Sequence, residues 1–192
     1  ARNGVMAALL AEQGFNADRN SLEAPLGFAN LFAAPGKHNL AQLTAGWADP
    51  LEVINPGSAI KLYPAGGPTN GPIDAILDIA VNAGVRPEEV SEIVWSGPRW
   101  VTKMLIRNDP QRGIEGKTSL QFCIGAALVD REVSMRQFTD QKVRDPRIRE
   151  VMRKVRIAVH PEFVEDVVNF GCEVSVRLKD GTEHRRRVPR AK

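Results

Sequence analysis

Cysteine is scarce in this chain of 192 residues: Cys123 and Cys172 are the only two and lie far apart. That gives no support to a disulfide framework or a cysteine-based metal site. Histidine is nearly as rare; His38, His160 and His184 stand at no metal-ligand spacing and are assigned to the surface, so no metal is expected. No apolar run approaches the roughly 20 residues a membrane helix needs, and no charged, apolar, small-residue leader precedes the first helix. The default expectation is therefore a cytoplasmic protein with no membrane partner. An excess of one charge is missing too: 26 basic residues against 23 acidic give a formal charge of +3, too small to argue for nucleic acid. There is no internal repeat or low-complexity segment, and no methionine at the start. Ala1-Arg2-Asn3-Gly4 opens straight into an apolar helix, which leads us to expect a chain that begins inside a larger protein.

What is present is an ordinary globular composition, 43% hydrophobic, able to bury a core. Val5, Ala8 and Leu9 predict a short helix stopped at Gly14, and residues 24–36, with Phe28, Leu31 and Phe32, read as a helical turn and connector. Pro35-Gly36 marks a boundary, dividing the chain into 1–35 and 36–192. Beyond it a short helix over 40–47 is expected, then strands over 51–54 and 59–63 around Asn55-Pro56-Gly57. Helical spacing is firmest over 72–82 and 117–129, and between them 90–96 alternates like a strand with one buried side. Residues 100–116 look irregular; Asn108-Asp109-Pro110 and Gly113 mark a loop expected to need a ligand or partner for order. A charged helix over 145–154 starts at Pro146 and leads into a strand over 155–159. Asp180-Gly181 between the alternating runs 172–178 and 183–188 then predicts a hairpin. The sum is an α+β fold, a mostly antiparallel sheet with helices packed on one face. The His184-Arg185-Arg186-Arg187 run alternates across the last strand and reads as a solvated face rather than a phosphate or nucleic-acid site.

The stretch most like a site runs from Ile60 to Ala75. As a strand, residues 60–63 would put Lys61 and Tyr63 on one side and Ile60 and Leu62 on the other. Pro64 ends the ladder, and Gly66-Gly67 permit a sharp bend with close approach of a ligand. A lysine against an apolar wall exchanges protons more readily, yet Lys61 could equally be a solvated residue guarding an edge. Tyr63 could donate to a carboxylate or act as an acid, or simply pack its ring with the hydroxyl at the surface. Thr69 and Asn70 precede a helix start, where they could hold an anion or cap the helix.

The Lys-x-Tyr-Pro segment followed by Ile73-Asp74-Ala75 resembles the signature of the MmgE/PrpD family, which includes 2-methylcitrate dehydratases, cis-aconitate decarboxylases and an iminodisuccinate epimerase. Four further stretches fall in that family's order: 3–15, 22–28, Ser119-Leu120-Gln121-Phe122 before an Ala-rich helix, and Leu178-Lys179-Asp180-Gly181. The resemblance implies the smaller α+β domain of a two-domain enzyme. Residues 1–35 would be the end of a helical domain and its connector, most of which is missing, as is a closing segment after the final hairpin. It implies cofactor-free acid–base chemistry on a small polycarboxylate, a site between the two domains, and a homodimer. Hydration–dehydration is the first expectation, epimerisation or isomerisation the next, decarboxylation the last. An isolated fragment would be inactive, and a non-catalytic binding or assembly module is the alternative.

The same resemblance implies catalytic roles for Lys61 and Tyr63, with Thr69, Asn70 and Arg107 binding substrate. Arg107 stands where an arginine often precedes a proline-containing turn in that family, and a guanidinium fork suits a di- or tricarboxylate. A solvated basic loop is the other reading of Arg107 and its neighbours. Three positions depart from the pattern. Many members carry cysteine or histidine where this chain has Gly66 and Asn70, and tyrosine where it has Phe122. Asparagine can hold a substrate but cannot exchange a proton near neutral pH.

Overall fold

The computed structural model describes residues 2–33, 37–51, 53–57, 60–163 and 170–190, and its contacts divide the chain into two units, 1–59 and 60–192. The expected boundary at Pro35-Gly36 lies outside the described residues. In the first unit, α1 (Arg2–Glu12) leaves Val5, Met6, Leu9 and Leu10 exposed and is followed by Gly14 at φ 86°. Then come α2 (Phe28–Phe32), whose terminal rings stand 4.6 Å apart, and α3 (Ala41–Thr44).

The second unit is built on four strands: β1 (Val90–Gly97), β2 (Val155–Val159), β3 (Cys172–Leu178) and β4 (Glu183–Val188), in the order β2-β1-β3-β4. β1 runs parallel to β2 and antiparallel to β3, and β3 antiparallel to β4, so this is an α+β fold with a mixed, mostly antiparallel sheet. The alternation has a direct consequence. Ile93 and Trp95 of β1 stand opposite Val176 and Val174 of β3 on one face, all fully or almost fully buried. The other face carries charges: Glu92 pairs with Arg156 and Arg177, and Arg185 with Glu173 and Glu183. The basic run of β4 is thus only half a solvated face. Arg186 crosses to the helix side and pairs with Asp78, and His184 is half-buried.

Helices cover the apolar face. α4 (Asn70–Asn82) packs on β3 and β4, α9 (Pro146–Lys154) on β1, and α7 (Leu120–Asp130) lies against both helices. α7 is buried at every position from 120 to 128 but one, which is why its pattern is apolar on nearly all sides. Ser119 caps it by accepting from the Phe122 N–H at 3.2 Å, and Arg131 ends it in the left-handed region. In α9 the sequence signals are met: Pro146 occupies the first turn and Asp145 caps by accepting from Arg147 N–H at 2.9 Å. The two helices approach closely at Gly125, where a methyl group would sit 3.1 Å from the Ile148 carbonyl oxygen. No helix among the described residues is long and apolar enough to cross a membrane.

Three expectations are corrected. Residues 53–57 form a single wide helical turn, broken at Asn55, in place of a strand, and 60–63 are irregular. Ile60 and Leu62 are 88% and 57% exposed, so neither packs against a sheet face among the described residues. Pro56 and Pro64 remove the donors a ladder would need. Residues 100–116 also hold more order than expected, with α5 (Arg99–Met104) and α6 (Gly113–Gly116). The loop between them is fixed by the chain itself. Arg149 pairs with Asp109 and donates to the Pro110 carbonyl at 3.2 Å, and Gln121 donates to Asn108 at 3.2 Å.

α6 is held to α8 (Asp140–Val143) by the Gly113 N–H donating to Asp140 at 2.7 Å. A methyl group at Gly113 would sit 2.7 Å from the Phe138 carbonyl carbon, and backbone cannot yield as a flexible side chain does. Gly113→Ala should therefore destabilise the protein by about 1–3 kcal/mol. A fall in the urea midpoint at unchanged slope would show it; an unchanged midpoint would contradict the packing described.

Candidate active site

The segment from Lys61 to Thr69 is a bend stitched by backbone. Ala65 N–H donates to Tyr63 carbonyl at 2.8 Å, Gly66 N–H to Lys117 carbonyl at 2.7 Å, and Thr69 N–H to Gly66 carbonyl at 2.9 Å. A short 3-10 turn over Gly67–Thr69 then feeds α4, whose positive dipole end abuts the bend. Gly66 is needed for proximity: a methyl group there would meet the Lys117 oxygen at 3.3 Å and the Leu105 side chain at 3.5 Å.

Lys61 and Tyr63 lie on irregular backbone with different partners and share no strand face. Lys61 is an exposed residue, and its ammonium donates to the Ala65 carbonyl at 3.3 Å. Tyr63 is half-buried and donates its phenol proton to Asp74 Oδ1 at 2.6 Å. Burial first, then the Asp74 carboxylate, raises the phenol's pKa well above its ordinary value, which favours the protonated phenol. Thr69 stands at the N-cap position of α4 but makes no cap bond; fully buried, it donates its hydroxyl proton to the Gly66 carbonyl at 2.7 Å. Asn70 lies one residue inside the helix, 5% exposed, and its Oδ1 has no hydrogen-bond partner among the described residues. Asp74 Oδ2, one helical turn on, is shielded from solvent and equally without a partner.

Arg107 is exposed in the loop after α5, and its charge helps hold the Glu115 carboxyl below the usual range, behind the larger effect of Gln111's backbone N–H. Leu105, two residues earlier, packs beside Gly66 and so begins that loop at the bend. Phe122 is fully buried with its ring edge-on to Phe138 at 5.8 Å, a core residue of α7. Burial pushes the Cys123 and Cys172 thiols up to about 12, so both pack as small protonated side chains. No cluster of three or more potential metal ligands occurs among the described residues.

Asp74 is the site residue that sequence reasoning passed over. Its signal was an acid between Ile73 and Ala75 in a mostly apolar helix, where a half-buried carboxylate needs a donor, and Tyr63 is that donor. Lys117 was also missed, because it acts through its backbone carbonyl and no side-chain pattern reports that.

The chain belongs to the MmgE/PrpD family: residues 63–192 match the MmgE/PrpD C-terminal domain. Among known proteins it is similar to cis-aconitate decarboxylase of Mus musculus, 28% identical over 190 residues, and to that of Homo sapiens, 27% identical over 187. It is likewise 27% identical over 202 residues to cis-aconitate decarboxylase of Aspergillus terreus. These matches cover 94–95% of this chain but only 38–40% of each relative, so the chain spans about two fifths of the length of the curated relatives it matches.

Proposed function

We propose that this chain supplies one wall of the active site of a cofactor-independent MmgE/PrpD-type lyase, which adds or removes water by acid–base chemistry on a small, 2-methylcitrate-like polycarboxylate. The observation that carries this reading is the exposed residue Lys61, whose ammonium lies against a glycine bend that leads into the positive end of α4. A cation there pairs with a substrate carboxylate and stabilises the negative charge that develops when the proton on the adjacent carbon leaves. The departing hydroxyl takes up a proton from the Lys61 ammonium and leaves as water; only protons and water move, so the reaction needs no electron carrier. Arg107 and the Asn70 amide are the further substrate contacts in this reading, with Thr69 shaping the bend between them, and Tyr63 borders the site as a neutral phenol. Asn70 offers no proton-exchanging group, so the base comes from outside the bend, in keeping with a second wall from a preceding helical domain. Two buried, unpaired thiols suit a reducing compartment such as the cytoplasm, and the family resemblance supports a homodimer.

Two other readings have an observation each. The similarity to cis-aconitate decarboxylases favours decarboxylation of a related substrate. The absence of an ionisable side chain at Gly66 and Asn70 favours a non-catalytic binding module. Incubating the intact protein with 2-methylcitrate, citrate, cis-aconitate and iminodisuccinate, with products followed by proton NMR, separates them. Gain or loss of water supports the proposal, whereas carbon dioxide release assigns decarboxylation. Inversion at the nitrogen-bearing carbon assigns epimerisation, and saturable binding without any product assigns the binding module.

A further inference from the structure

We propose that Asp74, acting through the Tyr63 hydroxyl, is the positioning residue that sets where Lys61 presents its ammonium group. This rests on the reading of Lys61 as the site's cation. The bend is fixed unevenly. On its C-terminal side Gly66 is tied to Lys117, and Thr69 is tied to Gly66 through both backbone and hydroxyl. On the N-terminal side little holds it: Ile60 and Leu62 are exposed, and Pro64 has no N–H to donate. Within 60–64 the half-buried side chain of Tyr63 packs against the core of the unit, and its hydroxyl ends on Asp74 at 2.6 Å.

The Lys61 contact closes between two anchors: its acceptor, the Ala65 carbonyl, belongs to the peptide that Gly66 N–H ties to Lys117, while the lysine's own backbone, two residues before Tyr63, hangs from the phenol. Ala65 N–H bonds to the Tyr63 carbonyl, and Lys61 Nζ bonds to the Ala65 carbonyl, so the lysine folds back around a loop whose pin on that side is the phenol. Asp74 is well placed to hold the pin. It sits in the second turn of α4 between fully buried Ile73 and Ala75, and that helix is clamped by the sheet and α7. Oδ1 takes the phenol and Oδ2 takes no partner, so Tyr63 is the carboxylate's hydrogen-bond partner among the described residues. A shielded carboxylate oxygen left unpaired is costly, and the bond to the bend is what the structure shows in return.

The test is a double-mutant cycle on the intact protein with Tyr63→Phe, Asp74→Ala and the pair, measuring kcat and KM on the substrate that turns over. Each single variant should lose roughly 10- to 100-fold in kcat, as displacement of a reacting group by about an ångström does, and the pair should lose no more than either alone. Asp74→Asn, whose amide oxygen can still accept the phenol proton, should recover most of the loss. Wild-type kcat in both single variants, or losses that multiply in the pair, would overturn the proposal. A second readout needs no turnover: the NMR signal of isotopically methylated Lys61, assigned by its disappearance in Lys61→Arg, should shift alike in Tyr63→Phe and Asp74→Ala. An unmoved signal in both variants overturns the proposal by itself. The two failures are separable, because active Lys61→Ala sinks the reading of Lys61, whereas inactive Lys61→Ala beside active Tyr63→Phe sinks only the role of Asp74.

Discussion

Replacing Lys61 with alanine is expected to lower kcat for the preferred polycarboxylate by about 10²- to 10⁴-fold, the range over which a positioned proton-transferring group acts, while leaving the melting temperature nearly unchanged. The second half of that expectation makes the first informative. Lys61 is exposed, and its hydrogen bond to the Ala65 carbonyl is a long 3.3 Å. Surface substitutions of that kind fall within about 0.5 kcal/mol of neutral. Lys61→Arg then separates the two tasks assigned to the ammonium. Guanidinium keeps the charge that binds a carboxylate but does not give up its proton at ordinary pH. A variant that preserves KM yet loses kcat locates the effect in the transition state. Equal loss in KM with kcat intact would restrict Lys61 to binding. Full activity in Lys61→Ala would remove it from the chemistry altogether.

Phe122→Ala carries the largest expected effect on stability, about 3–5 kcal/mol, as for other buried aromatics cut back to alanine. The ring is fully buried in the first turn of α7, meets Phe138 edge-on, and closes against Gly116, where an added methyl group would sit 2.8 Å from it. Ala cannot fill that space, and the neighbours cannot collapse into it without moving α6. Against the roughly 5–15 kcal/mol that holds a typical domain folded, this is enough to unfold a large fraction of the protein on mild heating. Urea denaturation should show a lower midpoint with the slope retained. A loss below about 1 kcal/mol would mean that the ring sits in a looser environment than the structure shows.

The parts of the fold that could be read from sequence are those whose signal is local and whose partners are the same residues that carry it. The β3–β4 hairpin follows from Asp180-Gly181, with Gly181 at φ 90°, between two alternating runs. α9 follows from Asp145, Pro146 and the spacing of Ile148, Val151 and Met152. Of the strands expected over 51–54 and 59–63, residues 52 and 59 lie outside the described residues and 53–54 and 60–63 form none, because alternation proposes a strand but a neighbouring edge must accept it. α5 was hidden by the loop signals that follow it, although Pro98 directly before Arg99 is a helix-start signal. At the candidate site, Lys61 and Tyr63 were legible as residue types in a bend, but their partners were not. Asp74 lies eleven residues from Tyr63 across a turn, and Lys117 contributes a carbonyl that every residue possesses.

Proton exchange in deuterated water tests the central claim most directly. The intact protein, incubated with each of the four polycarboxylates, should place solvent deuterium on the carbon next to a carboxylate of at least one of them, and Lys61→Ala should abolish that exchange while remaining folded. Absence of exchange with every one, in a protein shown to bind them, would contradict the acid–base account and leave a binding module in its place.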